Sequence, residues 1–230
     1  MSLTSLVYPA KCMFCGSSID DDKKICSSCK NKVNEIPNNN VCMHCGAEIS
    51  RCRCHPYRHL FCFERNIAVY PYQPPMSYAV HRLKFKKLPQ QAYRLAIKMV
   101  DKINFHYKDI SFDYILFVPM NRIKEMGRGF NQAQIIAQEI SKIIDVPVLY
   151  GALGRRWRST QQKKLTIEQR FVNAKKSFYL KDISNLYGKT LLLVDDVMTS
   201  GSSLSECARK LKEGGAEKVY SVTFTVSCRK

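Results

Sequence analysis

The sequence predicts an α/β protein, a parallel sheet flanked by helices, with a small cysteine-rich unit in front. Three observations carry that expectation. Short continuous apolar runs, the mark of strands buried on both faces, alternate with amphipathic stretches of helical period. Nine of the 11 cysteines precede residue 63, and the composition changes there. One apolar run, Leu191–Val194, leads straight into Asp195–Asp196 and then a loop of small hydroxyl residues. Together these place the cysteine-rich unit at residues 1–62 and the α/β unit at 63–230.

With 230 residues, 45% apolar and 24% charged, the chain has the balance of a globular protein, not a disordered one. No run of about 18 apolar residues occurs, so no membrane span is expected. Met1–Val7 lacks the apolar core of a secretory leader, which points to a cytoplasmic protein. Lys and Arg number 37 against 19 Asp and Glu, a formal charge of +18. A surplus of that size favours polyanionic partners: nucleic acid, pyrophosphate groups or an acidic membrane face.

The cysteines come as Cys12–x2–Cys15, Cys26–x2–Cys29, Cys42–x2–Cys45 and Cys52–x–Cys54, with Cys62 left over. Thiolates two residues apart reach one metal from a tight knuckle, and two knuckles complete a tetrahedral zinc site. Gly46, directly after Cys45, fits a knuckle turn that needs an unusual backbone angle. A disulfide framework needs an oxidising compartment, which nothing in the sequence suggests. The segment is too poor in aliphatic side chains to fold without metal, so the zinc is expected to be structural. The shortened fourth pair leaves one or two zinc ions open, with His44, His55 and Cys62 as substitute ligands. Chelation is expected to unravel about the first 60 residues and spare the rest.

The α/β unit opens with a strand, Asn66–Tyr70, stopped by Pro71 and Pro74–Pro75. Met76–Lys87 reads as an amphipathic helix with Tyr78, Val80, Leu83 and Phe85 as its apolar positions. A second helix after Pro89 buries Leu95, Ile97, Met99, Val100 and Ile103. Tyr114–Val118 is a strand buried on both sides, Gln132–Ile144 a helix, and Val146–Leu149 a short strand. Periodicity disappears from Gly151 to about Gln169. Strands Phe178–Leu180 and Thr190–Val194 follow, then a helix, Ser203–Glu213, closed by Gly214–Gly215. Lys218–Val226 supplies the last strand. Strands alternating with helices in this way argue for a parallel sheet.

Asp195 and Asp196 are expected as exposed carboxylates at the carboxyl end of their strand, where α/β sheets bind ligands. Thr199, Ser200, Gly201, Ser202 and Ser203 offer hydroxyls and backbone N–H groups at a helix N-terminus, which attracts phosphate. Acids for hydroxyl groups beside a cradle for phosphate suit a phosphorylated sugar. This strand, acid pair and loop resemble the signature of type I phosphoribosyltransferases. The resemblance implies a type I phosphoribosyltransferase-like sheet. In it, Asp195 and Asp196, the catalytic pair of an active enzyme, hold the ribose hydroxyls of phosphoribosyl pyrophosphate, and residues 199–203 hold its 5′-phosphate. Mg2+ accompanies the pyrophosphate. The loop leaving Val118 faces the same crevice, so Pro119, Met120, Arg122 and Arg128 are candidates to grip pyrophosphate. Asn131 is placed to cap the next helix.

Arg128–Gly129–Phe130–Asn131–Gln132, then Gln162–x2–Leu165–x4–Arg170–x2–Asn173–x4–Phe178, then Val194–Asp195–Asp196 follow the cysteine knuckles in that order. Leu83–Lys84–Phe85–Lys86 adds a basic-aromatic element ahead of them. This array resembles the ComF family of competence-associated proteins, from Cys12 to the last strand. The resemblance implies a double-zinc-ribbon-like N-terminal domain and a cytosolic protein that binds phosphoribosyl pyrophosphate. It also implies single-stranded DNA and the competence machinery as partners in DNA uptake.

Arg155–Lys164 puts five cations and the only Trp into ten residues. It reads either as a flap closing over pyrophosphate or as a single-strand contact in which Trp157 stacks on a base. Arg156, Trp157, Arg158, Gln162, Lys163, Lys164 and Arg170 are the candidates for that role. The competing activity is a working phosphoribosyltransferase that moves ribose 5-phosphate from phosphoribosyl pyrophosphate to a base or amine. No segment stands out as a reader of one nucleobase.

Overall fold

The computed structural model describes residues 11–12, 14–20, 25–85, 89–156 and 165–227, with 85 and 89–91 as backbone alone. A short α1 (Ser27–Lys30) lies in the cysteine-rich stretch. The helices that follow are α2 (Met76–Phe85), α3 (Pro89–His106), α4 (Arg122–Arg128), α5 (Gln132–Ile144), α6 (Ile167–Ser177) and α7 (Ser202–Glu213). The strands are β1 (Asn66–Pro71), β2 (Tyr114–Phe117), β3 (Leu153–Arg155), β4 (Phe178–Leu180), β5 (Thr190–Met198) and β6 (Lys218–Val226). Four of them form one sheet, in order β1-β6-β5-β2, and every pairing in it is parallel. The other two, β3 and β4, pair antiparallel as a separate ribbon.

The continuous apolar run of β5 exists because helices cover both faces of the sheet. Leu192 and Val194 pack on one side with Val80, Leu83, Met99 and Ile136 from α2, α3 and α5. Leu191 and Leu193 pack on the other with Leu204, Cys207 and Leu211 of α7. Strand alternation carries this onward, sending Asp195 toward the α7 face and Asp196 toward the α2 face.

Several elements depart from the sequence expectation, each for a local reason. The buried stripe of α2 runs through Met76, Ala79, Val80 and Leu83, so Tyr78 lies off it and is 54% exposed. On α3 the stripe is Ala92, Leu95, Ala96, Met99, Val100 and Ile103, and Ile97 falls outside it. The strand expected at Val146–Leu149 is a single bridge, Ile115 to Val148, where the Ile115 N–H donates to the Pro147 carbonyl at 2.9 Å. Pro147 has no N–H with which to extend that ladder. The loop expected after Val118 contains α4, which buries no residue and so leaves no apolar period to read. Between Gly151 and Gln169 lie β3 and the start of α6, whose Thr166 and Gln169 form a reciprocal capping box.

The cysteine-rich stretch lies along the β1 edge. The Asn66 N–H donates to Met43 O at 2.9 Å, and the Ile36 N–H to Val69 O at 2.9 Å. Gly46 bridges Ile67 with φ +75°, and a Cβ there would stand 2.7 Å from the Ala68 nitrogen, so only glycine fits. Cys12, Phe14 and Cys29 belong to the same buried cluster as Ile67 and Tyr70. The Lys102 ammonium, buried on α3, donates to the Ile36 carbonyl and the Asn38 side chain.

Candidate functional site

Two clusters gather all eight knuckle cysteines: Cys12, Cys15, Cys26 and Cys29, and Cys42, Cys45, Cys52 and Cys54. Within each, the four sulfurs lie within 4.8 Å of one another. Sulfur separations are 3.6 Å for Cys15–Cys26, 3.7 Å for Cys42–Cys54, 3.6 Å for Cys45–Cys52 and 3.4 Å for Cys52–Cys54. A tetrahedron with Zn–S near 2.3 Å has edges of about 3.8 Å, whereas a disulfide needs roughly 2.05 Å. The donors therefore fit two structural zinc ions, and the shortened pair completes the second site. His44, His55 and Cys62 belong to neither cluster. The Arg58 guanidinium donates to Cys42 Sγ at 3.9 Å and supplies positive charge beside the second site.

Asp195 and Asp196 lie inside β5 rather than beyond it, and both are partly buried, not exposed. The flanking helices enclose the carboxyl end of the strand. Lys84, in the last turn of α2, sets its Nζ 2.8 Å from Asp196 Oδ2. Asp195 Oδ1 accepts the N–H of Asp196 at 2.8 Å. Burial, and then the adjacent Asp196 charge, push the Asp195 carboxyl well above the usual range. Burial acts on Asp196 too, but the Lys84 ammonium outweighs it, helped by Arg128, and holds that carboxyl below its ordinary value. The two neighbours are thus driven apart, one toward the neutral acid and one a paired anion.

The loop that follows turns on Gly201, which sits at φ +79° as the N-cap of α7 and has no side chain to cap with, while the Ser202 N–H reaches the Ser200 hydroxyl at 3.5 Å. The opening N–H groups of a helix capped in this way face outward for an anion. Ser202 is buried with its hydroxyl 3.0 Å from that of Ser200, Ser203 is half-buried, and Thr199 is exposed. A Cβ on Gly201 would meet Met198 Cε at 2.7 Å and the Phe61 ring at 2.8 Å. Gly201→Ala is therefore expected to cost about 1–2 kcal/mol from the left-handed backbone alone. Thermal unfolding checks this, with Tm falling by roughly 3–6 °C; an unchanged Tm contradicts it. Behind the loop, the Cys62 N–H donates to Ser205 Oγ at 3.1 Å, and that hydroxyl donates to Leu60 O at 2.6 Å.

The remaining candidates divide. Pro119 and Met120 are half-buried ahead of α4, and Asn121 caps that helix through its side chain. Arg128 ends α4, donates to Gln132 Oε1 at 3.1 Å and acts on Asp196. Asn131 caps α5 as expected, its Oδ1 accepting the Ala133 N–H at 3.0 Å. Arg122 instead lines a separate cavity of about 450 Å3 with Arg155, Arg156 and Tyr179. Arg155 lies over the Phe178 ring at 4.9 Å, and its buried Nε has no hydrogen-bond partner among the described residues. Arg170 lies beside the hydroxyl loop, lining a cavity with Thr199 and Ser200. Trp157, Arg158, Gln162, Lys163 and Lys164 lie outside the described residues.

Lys84 and Phe61 are absent from the residues the sequence nominates. The basic-aromatic element at 83–86 is the signal for Lys84. Nothing local marks Phe61, whose role arises from contact with a loop 140 residues away.

Residues 126–230 match the phosphoribosyl transferase domain, and residues 3–63 match the double zinc ribbon domain. Competence protein F of Haemophilus influenzae is 28% identical over 218 residues, covering 91% of this chain and 93% of that protein. DNA utilization protein YhgH of Escherichia coli O157:H7 is 28% identical over 211 residues, 90% of this chain and 86% of its own. Competence protein ComFC of Bacillus subtilis is 26% identical over 212 residues, 88% and 84% of the two chains. Fold and site define an α/β protein of phosphoribosyltransferase type that carries a double zinc ribbon. Along about nine tenths of its length the chain is similar to competence proteins of the ComF type. Among the described residues, no helix is long and apolar enough to cross a membrane.

Proposed function

We propose that this protein binds phosphoribosyl pyrophosphate at Asp195, Asp196 and residues 199–203, binds single-stranded DNA through its basic surface, and acts in the cytoplasm during DNA uptake. The supporting observation is one continuous unit, β5 to α7, that holds two carboxylates and a Gly-capped helix start side by side. Carboxylates accept hydrogen bonds from sugar hydroxyls, and the helix start donates to phosphate. Lys84 holds Asp196 ionised and oriented in advance of the sugar. Arg128, acting on Asp196, adds positive charge toward a pyrophosphate. The carboxylates are also hard oxygen donors that fit Mg2+, which supplies charge neutralisation to a bound pyrophosphate. The names of the relatives, two competence proteins and a DNA utilization protein, support the role in DNA uptake. The net charge of +18 suits the polyanion.

Calorimetry with phosphoribosyl pyrophosphate and Mg2+ tests the ligand, and absence of heat from the zinc-loaded protein overturns it. Oligonucleotide titration at about 50 and 200 mM salt tests the DNA contact, with affinity expected to fall steeply between them. Salt-independent affinity argues against phosphate contacts. The match of 126–230 to a transferase domain favours a second reading, transfer of ribose 5-phosphate to a base or amine. Pyrophosphate release on adding such acceptors separates turnover from binding alone.

A further inference from the structure

A cavity of about 470 Å3 opens at the carboxyl edge of the sheet, between the second cysteine cluster and the start of α6. Its volume is in the range of small-ligand sites, about 300–1,000 Å3. Arg53 and Tyr57 come from the ribbon, Phe61 from the segment leading to β1, and Arg170 from the first turn of α6. Thr199 and Ser200 of the phosphate loop close the remaining wall.

Three features say what fits. The first is a pair of aromatic walls held in place. Phe61 stacks on Phe63 at 5.0 Å and on Phe171 at 6.0 Å between centroids, and the half-buried Tyr57 lines the same cavity. The second is charge: Arg53 and Arg170 line the cavity, and no carboxylate does so among the described residues. Arg170 is steadied by donating from Nε to Leu165 O at 3.2 Å. The third is position. The cavity shares Thr199 and Ser200 with the phosphate loop but reaches neither Asp195 nor Asp196. In a ribose 5-phosphate unit the anomeric carbon and the phosphate lie at opposite ends. A group beyond the phosphate loop is therefore joined to the sugar through phosphate, as in a nucleic-acid strand, and is not an acceptor attacking the anomeric carbon.

We infer that this cavity receives one base of single-stranded DNA, flat against Tyr57 and Phe61, with the adjoining phosphate met by Arg53, Arg170 and the phosphate loop. The inference rests on the proposed DNA binding and on the phosphate assignment of residues 199–203. It makes the zinc ribbon part of the strand-binding surface and the phosphate loop common ground for strand and sugar phosphate.

The test uses the full zinc-loaded chain and a 12-nucleotide oligothymidylate carrying one 5-iododeoxyuridine. Irradiation is expected to crosslink that base to Tyr57 or Phe61, located by peptide mapping. Tyr57→Leu is expected to weaken the plain oligothymidylate about tenfold, the scale of one lost stacking contact, and to leave the heat from phosphoribosyl pyrophosphate unchanged. An abasic strand of the same length is expected to bind wild type and variant alike. Crosslinks confined to other segments, or a Tyr57→Leu protein that binds the oligothymidylate like wild type, overturn the inference while DNA binding stands. A wild-type protein that binds no oligothymidylate even at about 50 mM salt overturns the DNA reading itself, and the cavity assignment with it.

Discussion

Stripping zinc from this protein is expected to melt far more than the cysteine-rich stretch. Structural four-thiolate sites contribute about 10–16 kcal/mol of apparent binding free energy, as much as the whole stability of a typical domain. Read from the sequence alone, that loss stays within the first 60 or so residues. The packing spreads it. Cys12, Phe14 and Cys29 belong to the cluster that also holds Ile67, Tyr70 and the α2 and α3 side chains. The second site presents Met43 O to β1, and Cys45 O to the buried Asn66 side chain at 3.0 Å. The chain leaving that site carries Phe61 against Gly201 and clasps Ser205 at the start of α7. Scanning calorimetry with excess chelator is expected to show the α/β transition lowered or merged with that of the ribbon. Heat from phosphoribosyl pyrophosphate should vanish with it. Metal analysis of the untreated protein should return two zinc ions per chain. An α/β transition that keeps its midpoint after full zinc removal contradicts this account.

The acid pair gives the second large effect, and its two members are expected to respond in opposite directions. Asp196→Asn leaves the Lys84 ammonium partly buried without its anion, and both side chains of that pair are mostly covered, 26% and 13% exposed. Removing one partner of such a pair costs about 2 kcal/mol, below the range for fully buried pairs because Lys84 retains some water. Asp195→Asn removes a carboxyl whose charge the fold disfavours, so the unliganded protein should gain stability. The pH dependence follows from the two directions. The Asp195 value is raised in the folded state, so its contribution is present at low pH and is lost as pH climbs from about 4 through the folded value. Asn removes that decline. The Asp196 value is depressed, so its contribution is present above about 4 and is lost as pH falls through the folded value. If phosphoribosyl pyrophosphate binds as proposed, Asp196→Asn should weaken it by roughly 100-fold, because an anion's charge-assisted hydrogen bonds to the sugar are lost, and Asp195→Asn by about tenfold, because a carboxyl pushed toward its neutral form makes weaker ones. Melting temperatures from pH 4 to 8, read beside calorimetry of the ligand, separate these outcomes. Shifts of the same sign in both variants refute the split between the acids.

Much of the fold is legible in the chain because its strongest signals are local. Tyr114–Phe117 and the core of β5 are short apolar runs, and Gln132–Ile144 shows a helical period with Asn131 as its cap. The elements that escape reading are those without a buried stripe. Helix α4 buries nothing, and α6 buries only Phe171, Ala174 and Ser177. Tyr78 and Ile97 are apolar yet lie off their stripes, which composition alone cannot show.

Cysteine spacing, the acid pair and the hydroxyl loop are each contiguous in the chain, and their chemistry can be read residue by residue. The sequence by itself therefore determines the metal class, the α/β architecture and the candidate acids and phosphate cradle. Which cysteines share a metal, that Lys84 pairs with Asp196, and that Phe61 props Gly201 were decided only by the tertiary structure. The cysteine contacts span 7 to 12 residues and depend on how their loops fold back, while the other two join segments more than a hundred residues apart that sheet order and helix packing bring together.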